Sequence, residues 1–186
     1  MSVDEIMSSG KEHMEKAVAQ LKKEFGSVRT GRANPLILDK VMVDYYGAPT
    51  PLRQMSQVTV QDGTTLVIAP FDKTVVKDIE KAIIKADLGI TPNNDGIVIR
   101  LPFPPLTTDK RKEIAKEVKK LGEEAKVVVR NIRRDMTDDL KKAEKTENLP
   151  EDVVKDGQNE IQKITDKYTK LIDDLCGEKE KEVLTI

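Results

Sequence analysis

The sequence has few of the residues on which most catalytic and cofactor sites depend. Its 186 residues include one histidine, one cysteine and no tryptophan, and aromatic residues make up 3% of the chain. One cysteine excludes an intramolecular disulfide, and one histidine leaves no Cys/His cluster of the kind that binds zinc. The glycines form neither a GxxxxGK[ST] phosphate loop nor a GxGxxG turn. We therefore expect no metal, no cofactor and no enzyme activity, with His13 at the surface and Cys176 reduced.

Long apolar runs are missing as well. No run approaches the roughly 20 residues that a membrane helix needs, and the N-terminal residues lack the apolar centre of a signal peptide. We therefore expect a cytoplasmic protein with no membrane partner. Charge is abundant instead, since charged residues make up 35% of the chain. Together with the scarcity of aromatics, this composition favours long exposed helices.

Residues 106–145 carry the strongest helical pattern. They contain no proline, and Gly122 is their only glycine. Apolar residues recur at spacings of three and four, which is the heptad pattern of a helix that packs against other helices. They are Ile114, Val118, Leu121, Ala125, Val128, Ile132, Met136 and Leu140. An isolated helix is marginal in water, so partner helices must cover this stripe.

Two further segments predict those partner helices. Residues 3–28 place apolar side chains at helical spacing: Val3, Met7, Met14, Ala17, Leu21, Phe25 and Val28. A third helix follows Pro150, with Asn148 as its predicted cap. Its stripe is a regular heptad formed by Val154, Gly157, Ile161, Ile164, Tyr168, Leu171 and Leu175. We predict that the three stripes meet in one elongated helical bundle.

The segment between the first two helices has another character. Short β-branched runs predict strands over residues 37–45, 57–60, 65–69 and 97–101, and residues 72–88 predict one helix. The chain is therefore predicted to be α+β, with a bundle of residues 1–30 and 106–186 and an inserted β/α/β domain of residues 31–105. The two connections form a candidate hinge at Thr30, Gly31, Pro104 and Pro105. A fixed elbow is the alternative.

Charge is segregated along the chain. Residues 110–134 hold ten Lys/Arg against four Asp/Glu, whereas residues 135–186 hold nine against fifteen. On a helical wheel the cations lie roughly opposite the apolar stripe. They are Lys112, Lys116, Lys119, Lys126, Arg130, Arg133 and Arg134, and Arg29 and Arg32 add to them at the domain boundary.

Such a basic face suits nucleic acid. The planar fork of arginine matches phosphate oxygens. The scarcity of aromatics argues against base stacking and favours recognition of a folded RNA by its shape and phosphates. An ordinary solvated helix face is the alternative.

Several motifs carry a resemblance to a known family. They are RTGRA at 29–33, VDYYGAPTPLRQMSQVTV at 43–60, ADLGITPNNDG at 86–96, IRLPFPPLT at 99–107 and VRNIRRD at 129–135. Together they resemble the ribosome recycling factor family over essentially the whole chain.

The resemblance implies a three-helix bundle and a β/α/β domain arranged as an L, similar in outline to a transfer RNA. It also implies a monomer that binds the post-termination ribosome, with its bundle on large-subunit ribosomal RNA, and that splits the subunits together with elongation factor G and GTP. The residues implied to touch RNA are Arg29, Arg32, Arg130, Arg133 and Arg134, with Arg133 foremost. A coiled-coil adaptor or holdase that grips protein clients is the alternative from another class.

Overall fold

A computed structural model describes residues 1–185 of the chain. They divide into two compact units, one of residues 1–25 and 113–185 and one of residues 26–112. Ile186, the last residue of the predicted helical domain, lies outside the described residues. The combination of long helices with a small sheet unit confirms the predicted α+β class.

The predicted helices and strands appear in the predicted order, but the structure adds three short elements that the sequence patterns do not predict: strands at residues 48–51 and 93–94 and a helical turn at residues 52–55. The helices are α1 (Val3–Gly26), α2 (Leu52–Met55), α3 (Val76–Lys85), α4 (Thr108–Glu147) and α5 (Glu151–Leu184), and Pro35–Lys40 and Lys73–Val75 form 3-10 turns. The strands are β1 (Met42–Tyr45), β2 (Ala48–Pro51), β3 (Ser56–Gln61), β4 (Thr65–Pro70), β5 (Asn93–Asn94) and β6 (Ile99–Pro102). Within residues 1–185 no helix is long and apolar enough to cross a bilayer.

Helices α4 and α5 pack antiparallel in the first unit. Far from their connecting turn, a Cβ on Gly122 of α4 would overlap the thiol of Cys176 on α5. Close to that turn, a Cβ on Gly157 of α5 would lie 3.0 Å from a methyl group of Leu140 on α4. Glycine therefore brings the two helices into close contact at both places, because it has no side chain to hold them apart.

Helix α1 completes the bundle by packing on both other helices. A Cβ on Gly10 of α1 would overlap the thioether of Met136 on α4. On the other side, the Tyr168 hydroxyl of α5 donates to the Glu15 carboxylate of α1 at 3.0 Å. Burial raises the pKa of Tyr168, and the neighbouring Glu15 raises it further. The buried side of each helix thus packs against the other two helices.

The buried stripe of α4 differs from the predicted one. Its centre consists of Ala115, Gly122, Val129, Met136 and Ala143, at intervals of seven residues. Val128, which the heptad analysis assigns to the stripe, is 46% exposed. The stripe is rotated towards the side of α4 that carries Lys126, because Gly122 admits the Cys176 side chain of α5. Periodicity of large apolar residues does not detect a seam built on glycine and alanine.

The second unit is a small antiparallel sheet covered by α3. Four strands pair in the order β3-β4-β6-β5, and β1 pairs with β2 in a separate hairpin. Helix α3 buries Val76, Ile79 and Ile83 in the shared core. The fully buried side chains of this core are Leu38, Val41, Val43, Leu52, Leu66, Ile68, Ile79, Ile83, Ile99 and Leu101.

The first predicted strand is wrong in its extent. Residues 35–40 form a 3-10 turn and only Met42–Tyr45 is extended. The turn that follows β1 is short, because Tyr45 of β1 pairs directly with Ala48 of β2. Tyr46 and Gly47 have φ of 50° and 83°. Two consecutive positive φ values are those of a two-residue type I′ turn, which matches the twist of a β-hairpin.

The predicted role of Asn148 is also wrong. Pro150 occupies the N-terminal cap position of α5, and no side chain forms a capping hydrogen bond there. Asn148 has φ of 47°, a left-handed conformation that asparagine tolerates and that ends helices. It therefore ends α4 instead of beginning α5.

Candidate nucleic-acid interface

Most of the predicted cations on α4 reach solvent. In the first unit, Lys116, Lys119, Arg130 and Arg134 are exposed. Lys112, at the end of the second unit, is exposed too. Because these side chains recur at helical spacing, they form a stripe of cations along the solvent face of one helix.

Lys126 does not belong to that exposed stripe, so its helical-wheel assignment is corrected. Its side chain is 16% exposed, and its ammonium forms ion pairs with Asp173 of α5 at 2.8 Å and with Glu123 at 2.9 Å. Hydrogen bonds to Asp173 and then Glu123 raise the pKa of Lys126. The rotation of the α4 stripe accounts for this position, since it turns Lys126 towards α5.

The arginines near the middle of α4 keep their charge unmatched. Arg130 and Arg134 are exposed and Arg133 is half-buried. Within residues 1–185, no carboxylate forms an ion pair with any of the three. A guanidinium that has no carboxylate partner can offer its full charge and a planar set of N–H donors to a phosphate.

Arg133 and Arg134 also line a groove of about 500 Å³ between α4 and α5. Helix α5 contributes Gln158 and Gln162 to the same groove. Sequence reasoning did not single out these amides. Gln158, Gln162 and Asp166 recur every fourth residue, which indicates one shared helix face, but the sequence does not show that this face meets Arg133.

Arg29 and Arg32 occupy different environments in the second unit. Arg32 is exposed. The Arg29 Nη2 group donates to the carbonyl oxygen of Pro104 at 3.2 Å, and its guanidinium lies 6.0 Å from the centroid of the Phe103 ring. Its Nε is buried without a hydrogen-bond partner in the described part of the chain. Arg29 therefore ties the two connecting segments of this unit together, and its contact with RNA stays a prediction.

The predicted hinge residues all lie in the unit of residues 26–112. They are Thr30, Gly31, Pro104 and Pro105. Gly31 has φ of +89°, which L residues rarely adopt. Both connections are fastened to the β3–β4 turn, where the amide of Ala33 donates to the Gly63 carbonyl at 3.0 Å and the amide of Phe103 donates to the Thr64 carbonyl at 2.7 Å.

The single histidine and the single cysteine of the chain lie on α1 and α5. His13 is exposed on α1. Cys176 is half-buried, and burial, followed by the nearby Asp173, raises the pKa of its thiol. The described residues contain no cluster of three or more His, Cys, Asp or Glu side chains that could hold a metal ion.

Comparison with known proteins decides the family. The family described as Ribosome recycling factor matches residues 21–184 of the chain. The chain belongs to the ribosome recycling factor family. Members of this family from bacilli are similar along almost their whole length: the ribosome-recycling factors of Bacillus licheniformis and Bacillus subtilis (strain 168) are each 53% identical over 182 residues, which is 98% of this chain and 98% of each relative.

Solved structures of family members agree with the fold. The solution structure of a ribosome recycling factor is 35% identical, has a TM-score of 0.81 and is matched over 100% of this chain and 99% of its own. A second structure consists of models for the T. thermophilus ribosome recycling factor and the E. coli elongation factor G bound to the E. coli post-termination complex. It is 42% identical, with a TM-score of 0.67 and full coverage of both chains.

Proposed function

We propose that this protein binds the large ribosomal subunit through phosphates of its ribosomal RNA and, with elongation factor G and GTP, splits the post-termination ribosome into subunits. The observation that carries the proposal is the set of cations on α4 that no carboxylate neutralises, centred on Arg130, Arg133 and Arg134. Family membership supports it, as does the T. thermophilus relative bound with elongation factor G to a post-termination complex.

Counterion release is the physical basis of the anchoring. Each cation that meets an RNA phosphate displaces condensed ions, so the logarithm of the affinity falls linearly with the logarithm of the salt concentration. The proposed contacts are Arg29, Arg32, Lys112, Lys116, Lys119, Arg130, Arg133 and Arg134. Lys126 contributes least, because Asp173 and Glu123 already hold its ammonium.

The unit of residues 26–112 acts in this proposal as a lever that the partner GTPase moves. The energy comes from GTP hydrolysis on elongation factor G, so the chain needs no phosphate-binding loop of its own. Arg29 ties the first connection to Pro104 of the second, and the β3–β4 turn holds both connections. Ala33 and Phe103 therefore move together with the sheet. Rotation at Gly31 and at Pro104-Pro105, which lie just outside these two bonds, requires no change in the sheet itself.

The direct test is the splitting of vacant ribosomes, followed by light scattering. We expect splitting that depends on this protein, elongation factor G and GTP together, and a strong loss of rate for Arg133→Ala. Lys126→Ala is the matched control, because it removes a cation of the same helix that is already neutralised. Splitting that proceeds equally well with Arg133→Ala and without elongation factor G would overturn the proposal.

The lever is tested separately from the anchor. A reversible disulfide that ties the two units together, introduced in a Cys176→Ala background, should leave binding to ribosomes largely intact and block splitting. Reduction should restore splitting. Full activity of the oxidised form would show that the two units need not move, as the fixed-elbow alternative requires.

The structure gives the adaptor alternative little support. An adaptor or holdase would use a free apolar stripe to grip client helices, but Met14, Met136 and Tyr168 are buried where the three stripes cover one another. Co-sedimentation separates the two functions. Ribosome binding that weakens steeply with salt is expected here, whereas an adaptor would pellet with its protein clients independently of ribosomes.

A further inference from the structure

The groove between α4 and α5 holds Arg133 in a different way from Lys126. Arg133, Arg134, Lys141 and one carboxylate, that of Asp138, line it from α4, and the amides of Gln158 and Gln162 line it from α5. Three cations against one carboxylate leave the groove positively charged. Arg133 is half-buried whereas its neighbour Arg134 is exposed. The guanidinium itself reaches solvent, because its hydrogen bond to α5 is exposed, so the group that it contacts there biases where it points.

A short hydrogen-bonded chain sets that direction. The Arg133 Nη1 group donates to Gln162 Oε1 at 3.4 Å, and Gln162 Nε2 donates to Asp166 Oδ1 at 2.8 Å, one turn further along α5. A guanidinium can only donate and an ionised carboxylate can only accept. The amide between them therefore has one orientation, with its nitrogen towards Asp166 and its oxygen towards Arg133. Asp166 fixes Gln162, and Gln162 in turn restrains Arg133.

The partner of Arg133 is neutral, and this distinguishes it from Lys126. Two carboxylates, Asp173 and Glu123, hold Lys126, so its charge is compensated inside the protein. An amide orients Arg133 without compensating its charge, and one long hydrogen bond leaves most of its five N–H donors available. Holding a cation in position before binding reduces the ordering cost when a phosphate arrives.

We propose that Gln162, itself oriented by Asp166, is a positioning residue that aims Arg133 at a single phosphodiester of RNA seated in the α4–α5 groove. This inference rests on the proposed function and adds the α5 side of the site to it. In the proposed site Arg133 touches the phosphate, Arg134 and Lys141 add charge at the groove wall, and Gln162 acts only through Arg133.

The experiment is a double-mutant cycle on binding to isolated large ribosomal subunits, measured over a series of KCl concentrations. Gln162→Ala should weaken binding by about three- to tenfold, the cost of ordering one long side chain, and leave the salt slope unchanged because no cation is lost. In an Arg133→Ala background, Gln162→Ala should have no further effect. Gln162→Glu should pair with Arg133 and lower the salt slope by about as much as Arg133→Ala does.

Controls separate the possible failures. Gln158→Ala removes the other amide of the groove, which makes no hydrogen bond to Arg133 in the described structure, and should not couple to Arg133→Ala. Gln162 is exposed, so urea unfolding of Gln162→Ala should match that of the unmodified protein. Equal effects of Gln162→Ala with and without Arg133 would overturn the positioning role alone. Salt-independent binding that ignores Arg133→Ala would overturn the proposed function itself.

Discussion

Alanine should have opposite effects on stability at two glycines of the helical unit. Gly122 lies inside α4 and faces the Cys176 thiol so closely that a Cβ would overlap it. Gly177 lies inside α5 and is exposed, and an added Cβ would meet no atom of another helix within 4 Å. Both residues are helical, so the same substitution at the two sites compares a close helix contact with open solvent.

The magnitudes follow from two opposing terms. Replacing a helical glycine with alanine gains about 0.5–1 kcal/mol, because the unfolded chain loses freedom. Overpacking a contact costs about 1–3 kcal/mol. Gly177→Ala should therefore stabilise the protein by about 0.5–1 kcal/mol. Gly122→Ala should destabilise it by up to about 2 kcal/mol, which is the overpacking cost less the helix gain.

Removal of the thiol should reverse the sign at Gly122. In a Cys176→Ala background the overlapping sulfur is gone, and the Cys176 Cβ lies 3.7 Å from the new methyl group, an ordinary contact distance. Gly122→Ala should then stabilise the protein by as much as Gly177→Ala does. The assay is urea unfolding followed by far-ultraviolet circular dichroism. A destabilisation of equal size in both backgrounds would refute the assigned contact between Gly122 and Cys176.

Two further predictions concern titrating groups. Hydrogen bonds from the amides of Val98 and Ile97, and then from Arg100, lower the pKa of Asp95 from 3.8 to about 2; an NMR titration should find a midpoint near 2, and Arg100→Ala should raise it only part of the way. Because folding lowers this pKa, the stability that Asp95 contributes is present above pH 3.8 and is lost as the pH falls towards 2. The difference in unfolding midpoint between Asp95→Ala and the unmodified protein should therefore shrink as the pH falls from 3.8 to 2. Burial raises the pKa of Cys176 above 9.0, so iodoacetamide should modify it more slowly at neutral pH in the folded than in the urea-unfolded protein; equal rates would contradict its placement beside α4.

Helices and strands could be predicted where their hydrophobic periodicity is strong. The long helix, its two partners and helix α3 follow from apolar residues at intervals of three and four. Which face of α4 is buried could not be predicted. The buried stripe is centred on Ala115, Gly122 and Ala143, and these small residues add little to any hydrophobic pattern. The same rotation explains why Lys126 faces α5 although its position on a helical wheel indicates solvent.

The hairpin of β1 and β2 shows another limit. The Tyr46-Gly47 pair predicts a turn. A turn of only two residues forms here because both residues adopt a positive φ. The first of them is a tyrosine, which seldom adopts this conformation, so propensity favoured a longer loop. The adjacent strand Ala48–Pro51 contains two prolines, and proline is tolerated there because β2 is an edge strand with one partner.

The candidate site was predicted in part. Residue types and helical spacing placed most of the cations on the solvent face of α4, where the structure also has them. The groove could not be predicted, because the contact of Arg133 with Gln162 depends on the register between α4 and α5. The charge pattern alone fits an ordinary solvated helix face as well as it fits a nucleic-acid interface. The family motifs, and not the charge pattern, predicted the ribosome as the target.

The measurement that tests the central claim most directly is the salt dependence of binding to isolated large ribosomal subunits. Arg133→Ala should flatten the slope of log affinity against log salt by about 0.7–0.9, the value of one phosphate contact. Lys126→Ala should leave the slope unchanged, because Asp173 and Glu123 already neutralise that lysine. An unchanged slope for Arg133→Ala, or no binding to the subunits at low salt, would contradict the account.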